Sequence, residues 1–560
     1  MLSLRYWIVR IRGWIEGIPF SRALRDPKQH QFLLLQKILK DNAQTPFGRD
    51  HDFESLTDIQ SFQKSVPIRN YQQHKPYIDQ ILKGNAQALT SDPPFMFAST
   101  SGTTNQPKWV PINNSWYQQM AKIVRIWLHR ATKVHPNIFK GKVLTIVSPA
   151  VEEMSEIGIP VGSVSGLTSS RVPWLLRRTY AVPYKVAEIE DYALRYFVIA
   201  RMACESSVSL LLTPNPATLQ RIADELATHA STIISAIRDG QIGMDITHLS
   251  DSQQDLLREL EQHCSPNPKR AQSLQALLDK QGTLYPKDCW PDLCLIGCWL
   301  GGSAGIHARS LKRVYGDVTL RDLGLRATEG TFSVTLKDDT PDSVLTINAN
   351  FYEFIPVDQI ESPEPEIKLA HELELKGQYY IIITTVGGLY RYDMNDIIEV
   401  TGFEHRTPVI RFLRKGRDMI SIVGEKLHVN QALAAASYAT EQSGLKWVQF
   451  QLIPDSEASQ HLFLVEWENE NIDQETVEIF MKAFDDQLMI ENPEYPTKRK
   501  SNRLQFPKVI RMRSGWVEAL RDHEFQQGKR EAQYKWRYMS NEWDDFSRTC
   551  LHKDSRIHEE

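Results

Sequence analysis

Apolar residues recur at helical spacing from the start of the chain to about residue 90, interrupted by turn signals at Thr45-Pro46-Phe47-Gly48 and Val66-Pro67. This pattern predicts a helical entry region. Its first segment, MLSLRYWIVRIRGWIEGI, carries Arg5, Arg10, Arg12 and Glu16 among its apolar residues, which fits an amphipathic helix better than a secretory leader. From Phe95 the texture changes. Short β-rich runs at 142–147, 207–212 and 293–300 alternate with helical stretches at 187–205 and 216–238. Strand and helix in alternation predict an α/β core. Between about 341 and 414, runs at 343–347, 379–385 and 396–401 are separated by Pro- and Gly-containing turns, which predicts antiparallel or barrel-like sheet. The acidic, proline-bearing stretch 358–366 within it reads as a surface loop. Past about 419 the chain has its own strand signals at 447–452 and 462–467 and a helix over 473–488, enough for a small α+β domain of about 140 residues. The expected organisation is a large domain, 1–419, and a small one, 420–560.

Composition narrows the function classes. At 560 residues, 41% hydrophobic and 24% charged, the chain has the balance of an ordinary globular protein, which excludes disorder, collagen and coiled coil as whole-chain descriptions. Lys plus Arg number 65 against 69 for Asp plus Glu, a net of −4. No global positive field exists to collect a phosphate backbone, so a recognised nucleotide is expected to be small, with no nucleic-acid partner. Nowhere do 18 uncharged apolar residues run together, so no membrane partner is expected either. Six scattered cysteines suit a reducing compartment, the cytoplasm. Cys289, Cys294 and Cys298 lack a CxxC step and are expected to pack as small apolar residues in a strand. The histidines form no HExxH or paired-ligand spacing, and the basic run Lys498, Arg499, Lys500, Arg503, Lys508, Arg511 and Arg513 reads as a solvated face.

Three stretches carry candidate chemistry. From Thr100 to Lys108 the chain packs four hydroxyls, one Gly and a Lys into nine residues after an apolar lead-in, suited to offering N–H groups, hydroxyls and an ammonium to a polyphosphate. It is not a Walker A loop. In Arg321-Asp-Leu-Gly-Leu-Arg-Ala-Thr-Glu-Gly330 a hydroxyl and a carboxylate stand side by side; the carboxylate could bind a nucleotide's Mg²⁺. Gly387-Gly-Leu-Tyr-Arg-Tyr-Asp-Met-Asn-Asp396 supplies a turn and an acid able to accept from both hydroxyls of a ribose.

In this order, the three stretches resemble the signature of adenylate-forming enzymes. With Thr45-Pro-Phe-Gly-Arg49, Tyr71, Asn348-Ala-Asn-Phe-Tyr-Glu-Phe-Ile-Pro356 and Val400-Thr-Gly-Phe403, the chain resembles the auxin-responsive Gretchen Hagen family of acyl acid amido synthetases over nearly its whole length. The resemblance implies an adenylate-forming α/β fold, with a large α/β plus β-barrel N-terminal domain for ATP and the acyl substrate and a small, mobile α+β C-terminal domain. It places Ser101, Gly102, Thr103 and Thr104 on the β- and γ-phosphates of ATP, with Lys108 as the loop's cation. Thr328 is implied to contact the α-phosphate, Glu329 the Mg²⁺, Gly301, Gly302 and Ser303 the adenine, and Asp396 the ribose. Arg417 and Lys426 correspond to the hinge between domains and Lys535 to a C-terminal lysine segment. The acyl pocket is expected to draw on Val161, Ser163, Phe351, Tyr352 and Phe354. Three positions depart from the family pattern: Asn105 and Asn395 stand where Gly is usual, and Leu325 where an aromatic is usual. Asn tolerates the left-handed conformation better than other residues, so the turn at Asn105 is expected to survive.

The activity implied is adenylation of a small carboxylic acid at the expense of ATP, then transfer of the acyl group to an amino-acid amine, by a monomer. Two other readings stay open: an acyl-CoA ligase sharing the first step, and a nucleotide-binding regulator without catalysis.

Overall fold

The computed structural model describes residues 4–100, 108–302, 304–305, 308, 311–360, 362–416, 419–423, 425–527 and 536–553. The chain divides into two compact units, Met1–Phe412 and Leu413–Glu560.

The larger unit begins with helices Leu4–Ala23, Pro27–Asn42, Pro46–Asp50, Ile59–Ser65 and Tyr71–Leu82, as the apolar spacing predicts. Their starts are written in the sequence as side-chain caps. Asp26, Thr45, Asp58 and Asn70 each accept an N–H from the first turn, and Pro follows the cap at Pro27 and Pro46, where a missing N–H costs nothing. Thr45-Pro46 therefore closes the turn after Asn42 and starts the next helix.

Strands Lys142–Thr145, Val208–Leu212, Leu295–Gly297 and Thr319–Arg321 form a four-stranded sheet in chain order, every pairing parallel. Most of their residues are buried and none is exposed, as expected of parallel strands covered on both faces. The helical stretch expected over 216–238 is two helices, Pro216–Thr228 and Ala230–Asp239, parting at His229. Cys298 and Cys289 are buried and Cys294 half-buried; only three residues of 293–300 are strand, and Cys289 ends the short helix Pro286–Cys289. Burial pushes the Cys298 thiol up to about 12, so it packs as a neutral apolar group.

A second four-stranded sheet has the order Lys108–Ile112, Met96–Thr100, Pro160–Gly162, Glu153–Met154. The third region is a seven-stranded sheet, in which Tyr392–Glu404, Gln378–Thr384 and Phe351–Pro356 run side by side with antiparallel pairing. The entry helices and this sheet share one core: Phe47, Phe62, Tyr77 and Ile78 pack with Phe351, Phe354, Ile381 and Tyr390. A buried ion pair pins the two together. Arg391 donates from Nε and Nη2 to Glu353 at 2.9 Å and from Nη1 to the carbonyls of Gln63 and Val66 at 2.8 and 2.7 Å. Removing either partner would strand a buried charge.

The smaller unit packs helices Val429–Ser443 and Gln474–Glu491 with a three-stranded sheet, Trp447–Asp455, Gln460–Trp467 and Lys508–Arg511. The basic run does not lie wholly in solvent. Arg499 is held in a bidentate pair with buried Asp485, at 2.9 Å through both Nε and Nη2, and Lys508–Arg511 is a paired strand. Lys500, Arg503, Lys508 and Arg513 are exposed as expected.

Candidate active site

The larger unit brings the three candidate stretches to one place. The first is carried by the antiparallel pair Met96–Thr100 and Lys108–Ile112, in which Thr100 and Lys108 are register partners. Ser101, Gly102, Thr103, Thr104 and Asn105 lie outside the described residues. Lys108 is half-buried, its Nζ 5.8 Å from the centre of the Tyr71 ring. The Tyr71 hydroxyl accepts the Trp109 N–H at 2.8 Å, so the first residues of the returning strand rest on the helix Tyr71–Leu82. Burial raises the Tyr71 pKa, so this phenol is neutral.

Thr328 and Glu329 are the two turn residues of a tight hairpin, with Ala327 opposite Gly330 and Arg326 opposite Thr331. The helix Asn114–Val134 holds this region from below. Trp116 donates through Nε1 to the Glu329 carbonyl at 3.0 Å, and Trp127 donates to the Asp322 carbonyl at 2.7 Å. Eleven residues separate the two tryptophans, close to three full turns, so both indoles leave the same helix face. Asn113 caps this helix and donates to the Val386 carbonyl at 3.0 Å, tying it to the third stretch.

That third stretch turns at Gly388, where φ is +94° and a Cβ would stand 2.8 Å from the Leu89 side chain; a side chain is excluded on both counts. The strand Tyr392–Glu404 then leaves the turn. The Tyr392 hydroxyl donates to the Glu329 carboxylate at 3.4 Å, joining the second and third stretches directly. Burial first, then the Glu329 charge, raises the Tyr392 pKa, so this contact is between a neutral phenol and a carboxylate. His74 packs edge-on against Tyr392 at 5.5 Å from the same helix as Tyr71. Asn395 has φ of +56° and donates its N–H to Asp393 Oδ1 at 2.7 Å, in a bulge where Tyr380 pairs with Ile397 but Ile382 pairs with Asp393. The left-handed residue sets the direction of Asp396, which is 3% exposed.

Gly301 and Gly302 follow the strand Leu295–Gly297, and Gly302 has φ of +58°. Ser303 lies outside the described residues. Beneath them Asp322 accepts from the N–H groups of Leu300 and Gly324, both at 2.6 Å. Burial pushes its carboxyl up to about 6, against the pull of these donors and of the Arg326 guanidinium. Arg326, at the hairpin's base, has its own pKa lowered to about 10 by burial. Leu325 is half-buried and packs against the main core.

The acyl candidates separate into two groups. Val161 pairs with Phe97 on the strand Met96–Thr100, and Ser163 caps the helix Val164–Ser170. Ser163 Oγ accepts from Gly166 N at 3.0 Å and donates to the Pro149 carbonyl at 2.8 Å, so its hydroxyl is committed to shaping this turn. Phe351, Tyr352 and Phe354 are fully buried in the shared core, and the Tyr352 hydroxyl is bonded to Thr346 Oγ1 at 2.8 Å. In the smaller unit Lys426 has φ of +46° and follows buried Glu425. Arg417 and Lys535 lie outside the described residues. Sequence reasoning missed Tyr71, Trp116 and Tyr392 as site residues, because each acts through a partner distant in sequence, and it missed Arg326, four residues from Asp322, because nothing in the sequence marks that pair as buried.

The GH3 family N-terminal domain matches residues 19–320, the central domain 343–415 and the C-terminal domain 427–543. The 4-substituted benzoates-glutamate ligase of Arabidopsis thaliana is 23% identical over 548 residues, spanning 92% of this chain and 94% of the relative. Among solved structures, the GH3.15 acyl acid amido synthetase in complex with 2,4-DB matches with a TM-score of 0.82 at 18% identity, over 96% of each chain. 2-Hydroxyisobutyryl-CoA ligase in the postadenylation state, in complex with 2-HIB-AMP, matches with a TM-score of 0.51 at 11% identity, over 92% of this chain and 90% of the ligase. These likenesses establish a mixed α/β fold of the adenylate-forming kind.

Proposed function

The chain belongs to the GH3 family, and from that premise we propose that it is an ATP-dependent acyl acid amido synthetase, joining a small carboxylic acid to an amino-acid amine through an acyl-adenylate. The observation that carries this reading is the Tyr392 hydroxyl on the Glu329 carboxylate, with Trp116 holding the Glu329 carbonyl: the residues of separate motifs are fixed to one another. In the first step the substrate carboxylate attacks the α-phosphorus of ATP and pyrophosphate leaves. Repulsion between anions is the main barrier, and Lys108, Thr328 and the donors of the Ser101 to Thr104 segment offset it by charge and position. In the second step the amine attacks the acyl carbonyl and AMP departs.

Glu329 fits Mg²⁺ as its one protein carboxylate. Mg²⁺ takes one or two carboxylates beside phosphate oxygens and water, and no cluster of three or more acidic, His or Cys groups exists among the described residues to form a complete protein cage. Bound there, the ion would neutralise phosphate charge. Asp396 holds the ribose, Arg417 lies near it, and Gly301, Gly302 and Ser303 line the adenine. Val161 and Ser163 shape the acyl side, with Phe351, Tyr352 and Phe354 supporting it from the core. The small domain, 420–560, is mobile and contributes Lys426 and Lys535. The protein works as a monomer, and its six free thiols suit the cytoplasm.

The fold likeness to a CoA ligase favours one second reading, transfer of the same adenylate to a thiol. Mass spectrometry of products from ATP, a carboxylic-acid panel and either amino acids or CoA separates the two. An amide is expected. A thioester without amide would replace this reading with the ligase.

A further inference from the structure

The helix Leu4–Ala23 has two apolar faces, and among the described residues only one is covered. Tyr6 and Phe20 are buried in a core with Ile123, Ile126 and Trp127 of the helix Asn114–Val134. Glu16, the one acid of the N-terminal helix, pairs on this side with Arg125 at 2.7 Å, and the Arg10 carbonyl meets His129 Nδ1 at 2.9 Å. The other face carries Trp7, Ile11, Trp14, Ile15 and Ile18, at offsets of four, seven, eight and eleven from the first, one continuous stripe of an α-helix. These five are 53%, 55%, 59%, 53% and 37% exposed, where a scattered surface would show single apolar residues.

The fringe of this stripe is basic. Arg10 and Arg12 stand on its two sides and Arg22 follows at its C-terminal end, while the sole acid is turned inward to Arg125. At the N-terminal end, Arg5 donates to Thr179 and helps line a surface cavity with Lys140, Lys142 and Arg178. Indole rings with an arginine border are the chemistry of an interfacial helix lying in the plane of an anionic bilayer. A second copy fits less well, because symmetric pairing of this face would bring arginine fringes together with no acid to meet them. No helix among the described residues is long and apolar enough to cross a membrane, and lying on its surface requires none.

We propose that the outer stripe of the N-terminal helix docks this protein on an anionic lipid surface. Full-length protein is sedimented with phosphatidylcholine vesicles containing or lacking phosphatidylserine. It is expected to partition onto the phosphatidylserine vesicles, less so as salt rises. Arg10→Gln with Arg12→Gln is expected to lower that partition about thirtyfold, and Trp7→Ser with Trp14→Ser by about tenfold or more, both variants staying folded by circular dichroism because none of the four side chains belongs to the buried core. Failure to sediment with either vesicle, or undiminished binding by both variants, would overturn the proposal. So would a wild-type dimer in solution that the tryptophan variant dissociates, which would assign the stripe to a second copy.

Discussion

Asn395 makes the position of Asp396, the proposed ribose acceptor, depend on its neighbour's backbone. With φ at +56°, the strand turns there and presents Asp396 to a buried setting. Glycine adopts this conformation freely, Asn with modest cost, and a β-branched residue poorly. Asn395→Gly should therefore leave unfolding free energy within about 1 kcal/mol of wild type, whereas Asn395→Val should cost about 1 to 3 kcal/mol in urea denaturation. Asp396→Ala should raise the KM for ATP about ten- to a hundredfold if it removes the ribose acceptor. At this scale the sequence named Lys108, Glu329 and Asp396 because motifs are local. It could not name Tyr392 or Trp116, whose bonds to Glu329 close 63 and 213 residues of chain.

The helix Asn114–Val134 is the element on which the site is built. It packs with the N-terminal helix and sends Trp116 and Trp127 to the carbonyls of Glu329 and Asp322. Trp116→Phe keeps the ring packing and removes one donor, so it should cost about 1 kcal/mol of stability while lowering acid-dependent pyrophosphate exchange several-fold through a loosened hairpin turn. Both are readable on the same sample by denaturation and exchange. The β-rich runs located three of the four parallel strands, missing Thr319–Arg321, and periodicity found the long helices, yet placed one helix start five residues early, at 187 against Tyr192, and missed the break at His229. Such ends are fixed by caps and by packing across the core, which a hydrophobic period does not encode. The Thr328-Glu329 hairpin was illegible for the same reason: its strands are two residues each, too short for any period.

Across the larger unit, the buried join between entry helices and seven-stranded sheet gives stability a pH dependence. His74 is fully buried and bonded at both ring nitrogens: Nε2 accepts the Tyr390 N–H at 3.2 Å, so Nδ1–H faces the Asn70 carbonyl at 3.2 Å. Burial lowers its pKa from 6.5 to about 4. The unfolded chain takes up a proton below 6.5 that the folded chain refuses until about 4. Stability should fall as pH drops through this window, by on the order of 3 kcal/mol, and gain nothing further from this residue below it. Unfolding free energy of wild type minus His74→Asn, measured from pH 8 to about pH 4, should show that slope.

The net of −4 gave no hint of nucleotide chemistry, because in the proposed site the charge that one ATP requires is local to a few residues around Glu329. The central claim is that these residues activate a carboxylic acid. Acid-dependent exchange of labelled pyrophosphate into ATP tests it most directly, for wild type and Glu329→Gln across a broad carboxylic-acid panel. The account predicts exchange that requires both ATP and a particular acid, falling about a hundredfold or more in Glu329→Gln with melting unchanged. No exchange with any acid, or full exchange by Glu329→Gln, would contradict it.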